Sequence, residues 1–193
     1  HDADTVYLAL DNHKYGDFTP YLLVSHNRGR SWRSITDGIP EDHLVWRVVQ
    51  DHERADLLFA ATEFGVFVTM NGGAQWQKLD SGMPTISIRD IRIQRRENDL
   101  VAASFGRGFF VLDDYSLLRS FESDKQMPEA TLFESRPARW YFERPVLGAT
   151  RKGSQGDQLY VADNPPFGAV ISYYLRDGYP TKKDARQRSE SEA

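Results

Sequence analysis

The pattern Ser/Thr-x-Asn-x-Gly-x-x-Trp occurs twice in this chain, at Ser25, Asn27, Gly29 and Trp32 and again at Thr69, Asn71, Gly73 and Trp76, with a spacing of 44 residues. Each position has a mechanical role. The Ser/Thr hydroxyl and the Asn amide can both bond backbone amides of a tight turn. Glycine supplies positive φ without steric cost. The tryptophan on the returning strand buries a large apolar surface and directs its N–H to a partner. Both copies therefore predict a strand, a tight turn and a second strand. These are fold residues and name no reaction.

The register extends beyond the turns. Gly82-Met83-Pro84 follows Gly38-Ile39-Pro40 by the same 44 residues. Leu58–Thr62 is echoed by Leu100–Ser104, and Gly65–Val68 by Gly108–Val111. A repeat of about 40–50 residues built from short strands is the mark of a propeller blade.

At these residues the chain resembles the Asp-box (BNR) repeat proteins, and among them the bacterial sortilin-like propellers. Their motif is Ser/Thr-x-Asp-x-Gly-x-x-Trp/Phe, and Asn27 and Asn71 stand here where the family carries Asp. The stretches 61–76 and 104–118 are similar to the penultimate and last blades of such proteins, and the resemblance covers about residues 5–135. It implies an all-β partial propeller of about two and a half four-stranded blades, followed by the start of a β-sandwich at Asn164-Pro165-Pro166-x-Gly168. It also implies an extracytoplasmic location. Asp boxes occur in sialidases, propeller glycoside hydrolases, sortilin-like receptors and photosystem assembly factors, so fold is better specified than function.

Strands are expected at 5–10, 21–25 and 32–35 around the first turn. The complete repeat follows at 45–50, 57–62, 66–70 and 75–79, and a third repeat at 88–94, 100–104 and 109–112. Only four residues precede Thr5, so the first blade is expected to lack its innermost strand. In the third repeat Asp113-Asp114-Tyr115 replaces the motif, and Ala130–Phe133 is the expected closing strand. The organisation is then blades over 1–135, a linker over 136–163, and one sandwich strand (169–175) with a disordered charged tail over 164–193.

The net charge of −4 excludes the basic footprint of a nucleic-acid-binding domain. There is no cysteine, hence no disulfide or thiol chemistry. No apolar run reaches the ~20 residues of a membrane helix. The sequence opens on His1 without an initiator methionine or leader and reads as a segment of a longer protein. Its expected partners are the remaining blades of that protein or a second copy, with a protein or glycan as ligand.

Propeller geometry puts the Asn-bearing turns on one face, and the loops between second and third strands together with the connections between blades on the other. That second face gathers Asn12, His13, Tyr15, Glu41, His43, Glu63 and Arg107. Of these, His13, Tyr15, His43, Glu63 and Arg107 are the binding candidates; Trp32 and Trp76 are both expected to be buried. His13, His26, His43 and His52 lie in separate loops without metal-ligand spacing, so neither a metal nor a cofactor is expected. Asp113 and Asp114 are adjacent on a strand and point to opposite faces, which makes turn capping the better reading than a glycosidase pair. The expected function is a non-catalytic binding or structural propeller module. The alternative is part of a propeller glycoside hydrolase whose active residues lie largely elsewhere.

Overall fold

A computed structural model describes residues 1–80, 82–121, 125–138, 140 and 167–191. The chain divides into two compact units, His1–Gln126 and Met127–Ala193.

The first unit is a succession of three antiparallel sheets. Strands β1 (Val6–Asn12), β2 (Asp17–Ser25) and β3 (Arg33–Ser34) form the first. Strands β4 (Val45–Gln50), β5 (Leu58–Thr62), β6 (Gly65–Thr69) and β7 (Gln77–Lys78) form the second. Strands β8 (Ile88–Gln94), β9 (Asp99–Ser104) and β10 (Phe109–Leu112) form the third. Strand order follows the sequence within each sheet, and β4 packs on β1 and on β8. Consecutive up-and-down sheets stacked face to face are the arrangement of a partial propeller.

Both turns close as their residues require. The Ser25 hydroxyl accepts the Gly29 amide at 2.8 Å, and Asn27 Oδ1 accepts the Ser31 amide at 2.9 Å. In the second copy the Thr69 hydroxyl accepts from Gly73 at 3.1 Å and Asn71 Oδ1 accepts from Gln75 at 3.0 Å. The hydroxyl donates to the Asn Oδ1 in both, at 2.9 and 2.7 Å.

Two apolar clusters glue the sheets together. Leu22, Ile35, Ile39, Leu58, Ala60, Phe67 and Trp76 fill the space between the first and second. Leu57, Phe59, Val66, Ile88, Ile91, Leu100 and Tyr115 fill that between the second and third. Trp76 is 2% exposed and donates its indole N–H to the Ile35 carbonyl at 2.7 Å, so one side chain joins two sheets. Trp32 corrects the expectation of equal burial: it is 40% exposed. It lies over its own turn at Gly29, and among the described residues no sheet stands where the first sheet stands for Trp76.

Where the third repeat loses the motif, a 3-10 turn at Tyr115–Ser120 takes its place. Asp114 caps it, accepting from the Ser116 amide and hydroxyl. Tyr115 packs edge-on to Phe59 and donates to Asp51 at 2.6 Å. Arg119 holds the same carboxylate with two bonds of 2.8 and 2.9 Å. Burial pushes the Asp51 carboxyl up, but the bonds from Arg119, Tyr115 and the Arg54 and Glu53 amides outweigh it and hold it below the usual carboxylate range.

In the second unit, the strand expected to close the third blade forms at Ala130–Leu132 (β11) but pairs with Tyr173–Leu175 (β12). The tail expected to be disordered is helical over Lys182–Ser191 (α1). Thr181 and Asp184 bond reciprocally as a cap at its start, and Arg186 pairs with Glu190 one turn on. Most of the expected 136–163 linker and the Asn164-Pro165-Pro166 segment lie outside the described residues.

Candidate functional site

The register of the strands fixes the two faces of the stack. Thr69, which opens the second turn, pairs with Leu58, whereas Thr62, next to Glu63, pairs with Val45 at the start of β4. The Asn-bearing turns and the Glu63 loop thus sit at opposite strand ends, as expected.

At the Glu63 end, the two innermost strands each begin with a bulge. Val45 pairs with Thr62 and Arg47 with Ala61, which leaves Trp46 as the extra residue. Ile88 pairs with Ser104 and Asp90 with Ala103, which leaves Arg89 extra in the same way. A bulge re-aims the side chain it carries, and here the two re-aimed groups meet. The Arg89 guanidinium lies 3.9 Å from the centre of the Trp46 ring and 5.1 Å from that of Phe105. These are cation–π distances.

Glu63 ties the group together. Its Oε2 accepts from the Trp46 indole N–H at 2.8 Å and from the Ser87 hydroxyl at 2.9 Å, and Arg89 Nη2 is 3.5 Å away. The His13 ring meets Trp46 edge-on at 5.6 Å. All three sheets therefore contribute: His13 from the first, Trp46 and Glu63 from the second, Ser87, Arg89 and Phe105 from the third. Phe105 is 70% exposed, so the cluster offers an aromatic ring, a guanidinium edge and a carboxylate to solvent together.

The loop bearing His13 is fastened from both sides. Asp17 accepts from Tyr21, Asn12 and the Thr19 amide, and these bonds hold its carboxyl well below the usual range. The His13 ring is paired with Asp11.

Of the residues singled out from sequence, His13 and Glu63 are brought together through Trp46. His43 lies apart from that contact, its ring edge-on to Phe64 at 5.0 Å and Phe67 at 5.6 Å and its Nδ1 bonded to Asp42. Tyr15 is 87% exposed and Arg107 is also exposed, and no hydrogen bond, ion pair or ring contact joins either to the Trp46 cluster. Trp46, Ser87, Arg89 and Phe105 were missed. Trp46 and Arg89 sit in alternating strand patterns that assign them to a sheet face, and only the bulge turns them to the rim.

Among the described residues there is no cluster of three or more His, Asp or Glu that could hold a metal, and no helix long and apolar enough to cross a membrane. The chain matches no protein-family model and no curated protein. Among solved structures it is similar to the crystal structure of an ancestral GH74 enzyme, with 23% identity and a TM-score of 0.44. That match covers 55% of this chain and 12% of the enzyme.

Proposed function

We propose that the rim built on Trp46, Glu63, Arg89 and Phe105 binds a glycan, and that this segment acts as a non-catalytic binding module of a larger Asp-box propeller protein of the sortilin-like type. One observation carries the reading: equivalent bulges on consecutive inner strands turn an indole and a guanidinium onto one another beside a carboxylate. Sugar rings present apolar C–H faces that stack on aromatic rings, and pairs of hydroxyls that fit the planar edges of guanidinium and carboxylate. An exposed aromatic ring beside a few fixed polar groups meets that need. His13, Tyr15, His43 and Arg107 are the residues of the neighbouring loops that would border the ligand.

Catalysis asks for more. Glycoside hydrolysis needs two carboxyls held across the scissile bond at roughly 5–9.5 Å. Glu63 is the carboxylate that accepts from Trp46 and Ser87, and Asp11 is paired with the His13 ring that packs on Trp46. The hydrolase reading is the alternative and assigns the missing carboxylate to the remainder of the protein.

The test is an array of neutral and acidic oligosaccharides probed with the 193-residue chain, each hit then incubated and analysed for shortened products. The proposal expects binding without cleavage, and loss of the hits in Phe105→Ala. Cleavage by this chain alone would overturn the non-catalytic reading and put both carboxylates within it, and an array without hits would reject the binding role of the rim.

A further inference from the structure

The two bulges that build the rim bring a second pair of side chains together just beyond it. After each extra residue the strand returns to its ladder, with Arg47 opposite Ala61 in β4 and Asp90 opposite Ala103 in β8. Trp46 meets Arg89 at the rim, and one residue further along each strand Arg47 Nε stands 3.5 Å from Asp90 Oδ1. Arg92, two residues on, places its Nε 3.4 Å from Asp90 Oδ2. One carboxylate therefore lies between two guanidiniums. Both strands are the edge strands of their sheets, and the three side chains stay open to solvent, at 43% for Arg47, 44% for Asp90 and 65% for Arg92.

The charges along this row do not balance. Three guanidiniums, of Arg89, Arg47 and Arg92, face two carboxylates, of Glu63 and Asp90. The row is positive on a chain whose net charge is −4. Its ion pairs are also loose, each at 3.4 or 3.5 Å, longer than the roughly 2.9 Å of a formed N–H···O bond. Asp90 Oδ1 spends a shorter bond, 2.9 Å, on the Ile91 amide. Among the described residues none of the three guanidiniums donates a hydrogen bond. Arginine holds its donors in a planar fork that fits two oxygens of a carboxylate or sulfate. Exposed pairs of this kind hold weakly and exchange partners easily.

We propose that Arg47 and Arg92 form an anion subsite continuous with the rim, and that the glycan is an acidic one, bearing a uronate carboxylate or a sulfate ester. This rests on the glycan reading of the rim. A sugar stacked at Trp46 and Phe105 leads its acidic neighbour along the β4 and β8 edges. There the anion takes the open forks of Arg47 and Arg92 in exchange for Asp90. Asp90 sets the selectivity, because a neutral hydroxyl does not displace a carboxylate from two guanidiniums, whereas another anion does.

The experiment is titration calorimetry of the full chain with two matched pairs: an oligogalacturonate against its methyl ester, and a malto-oligosaccharide against its sulfate ester. The acidic member of at least one pair should bind at least about tenfold tighter than its neutral counterpart. Which pair shows the margin tells uronate from sulfate. Arg92→Gln should cut that margin about threefold or more and leave the neutral member's affinity unchanged. Asp90→Asn, which keeps an oxygen for the Ile91 amide, should raise the affinity of the acidic member alone. Arg30→Gln removes the same charge from the first Asn-bearing turn, on the opposite face, and should change neither. Equal affinities within both pairs would overturn the acidic class and leave a glycan-binding rim in place. So would a margin indifferent to both Arg92→Gln and Asp90→Asn, or one that Arg30→Gln reduces as much. Failure of all four compounds to bind would remove the rim reading itself, and the subsite with it.

Discussion

The Trp76 indole N–H reaches the Ile35 carbonyl at 2.7 Å, and the Trp76 amide reaches the Asp37 carbonyl at 2.8 Å. One residue of the second sheet is thus bonded twice to the segment that leaves the first. Trp76→Ala empties the centre of that interface and should cost about 3–5 kcal/mol. Trp32→Ala, at a half-covered ring, should cost no more than about 1–2 kcal/mol. Urea denaturation of the two variants side by side measures the difference, and equal losses would contradict it.

The close approach at Gly38 has its own consequence. With φ at +89° and the Trp76 backbone on top of it, Gly38→Ala forces the two sheets apart. The expected loss exceeds about 2 kcal/mol, combining positive-φ strain with overpacking. Gly16→Ala has the strain without the clash. Its loss should stay near about 1 kcal/mol, and thermal melts of both variants decide the matter.

Asn71 offers a test of the turn. Both contacts of its Oδ1 are accepted hydrogen bonds, one from the Thr69 hydroxyl and one from the Gln75 amide. Asn71→Asp preserves them and should change stability by no more than about 0.5 kcal/mol, whereas Asn71→Ala leaves donors unmatched and should cost about 1–2 kcal/mol.

Asp51 makes stability depend on pH. Its folded carboxyl titrates below the unfolded one, so its contribution is present above the unfolded value and lost as pH falls through the acid range. The stability gap between wild type and Asp51→Asn should therefore be widest near neutral pH and shrink below about pH 4. Denaturant titrations at pH 7 and pH 3 check this, and a gap that widened in acid would contradict it.

The turns, the 44-residue register and the assignment of loops to opposite faces were legible in the sequence because each rests on local chemistry repeated in two places. The four strands of the complete repeat followed from alternation. What escaped depends on contacts across the sheets. Nothing in the first motif distinguishes Trp32 from Trp76, since burial is supplied by the neighbouring sheet. The pairing of Ala130–Leu132 with Tyr173–Leu175 joins segments about 40 residues apart in sequence, with no short hairpin turn to announce it. At the tail, composition pointed to disorder, while the Thr181–Asp184 cap and the Arg186–Glu190 pair favour a helix locally. At the rim, Glu63 and His13 were found by loop position. Trp46 and Arg89 were not, because a one-residue bulge is invisible to a period of two.

The stack of Arg89 on Trp46 is where the functional account stands or falls. Titration calorimetry of the wild-type chain and of Trp46→Ala, with the strongest-binding oligosaccharide of the array, tests it directly. Removing the platform should weaken binding at least about tenfold, because a few aromatic anchors dominate such sites. The melting temperature should change little, as Trp46 lies outside both apolar clusters between the sheets. An unchanged affinity in Trp46→Ala would show that the ligand sits elsewhere on the propeller and that the rim is a structural clasp between its sheets.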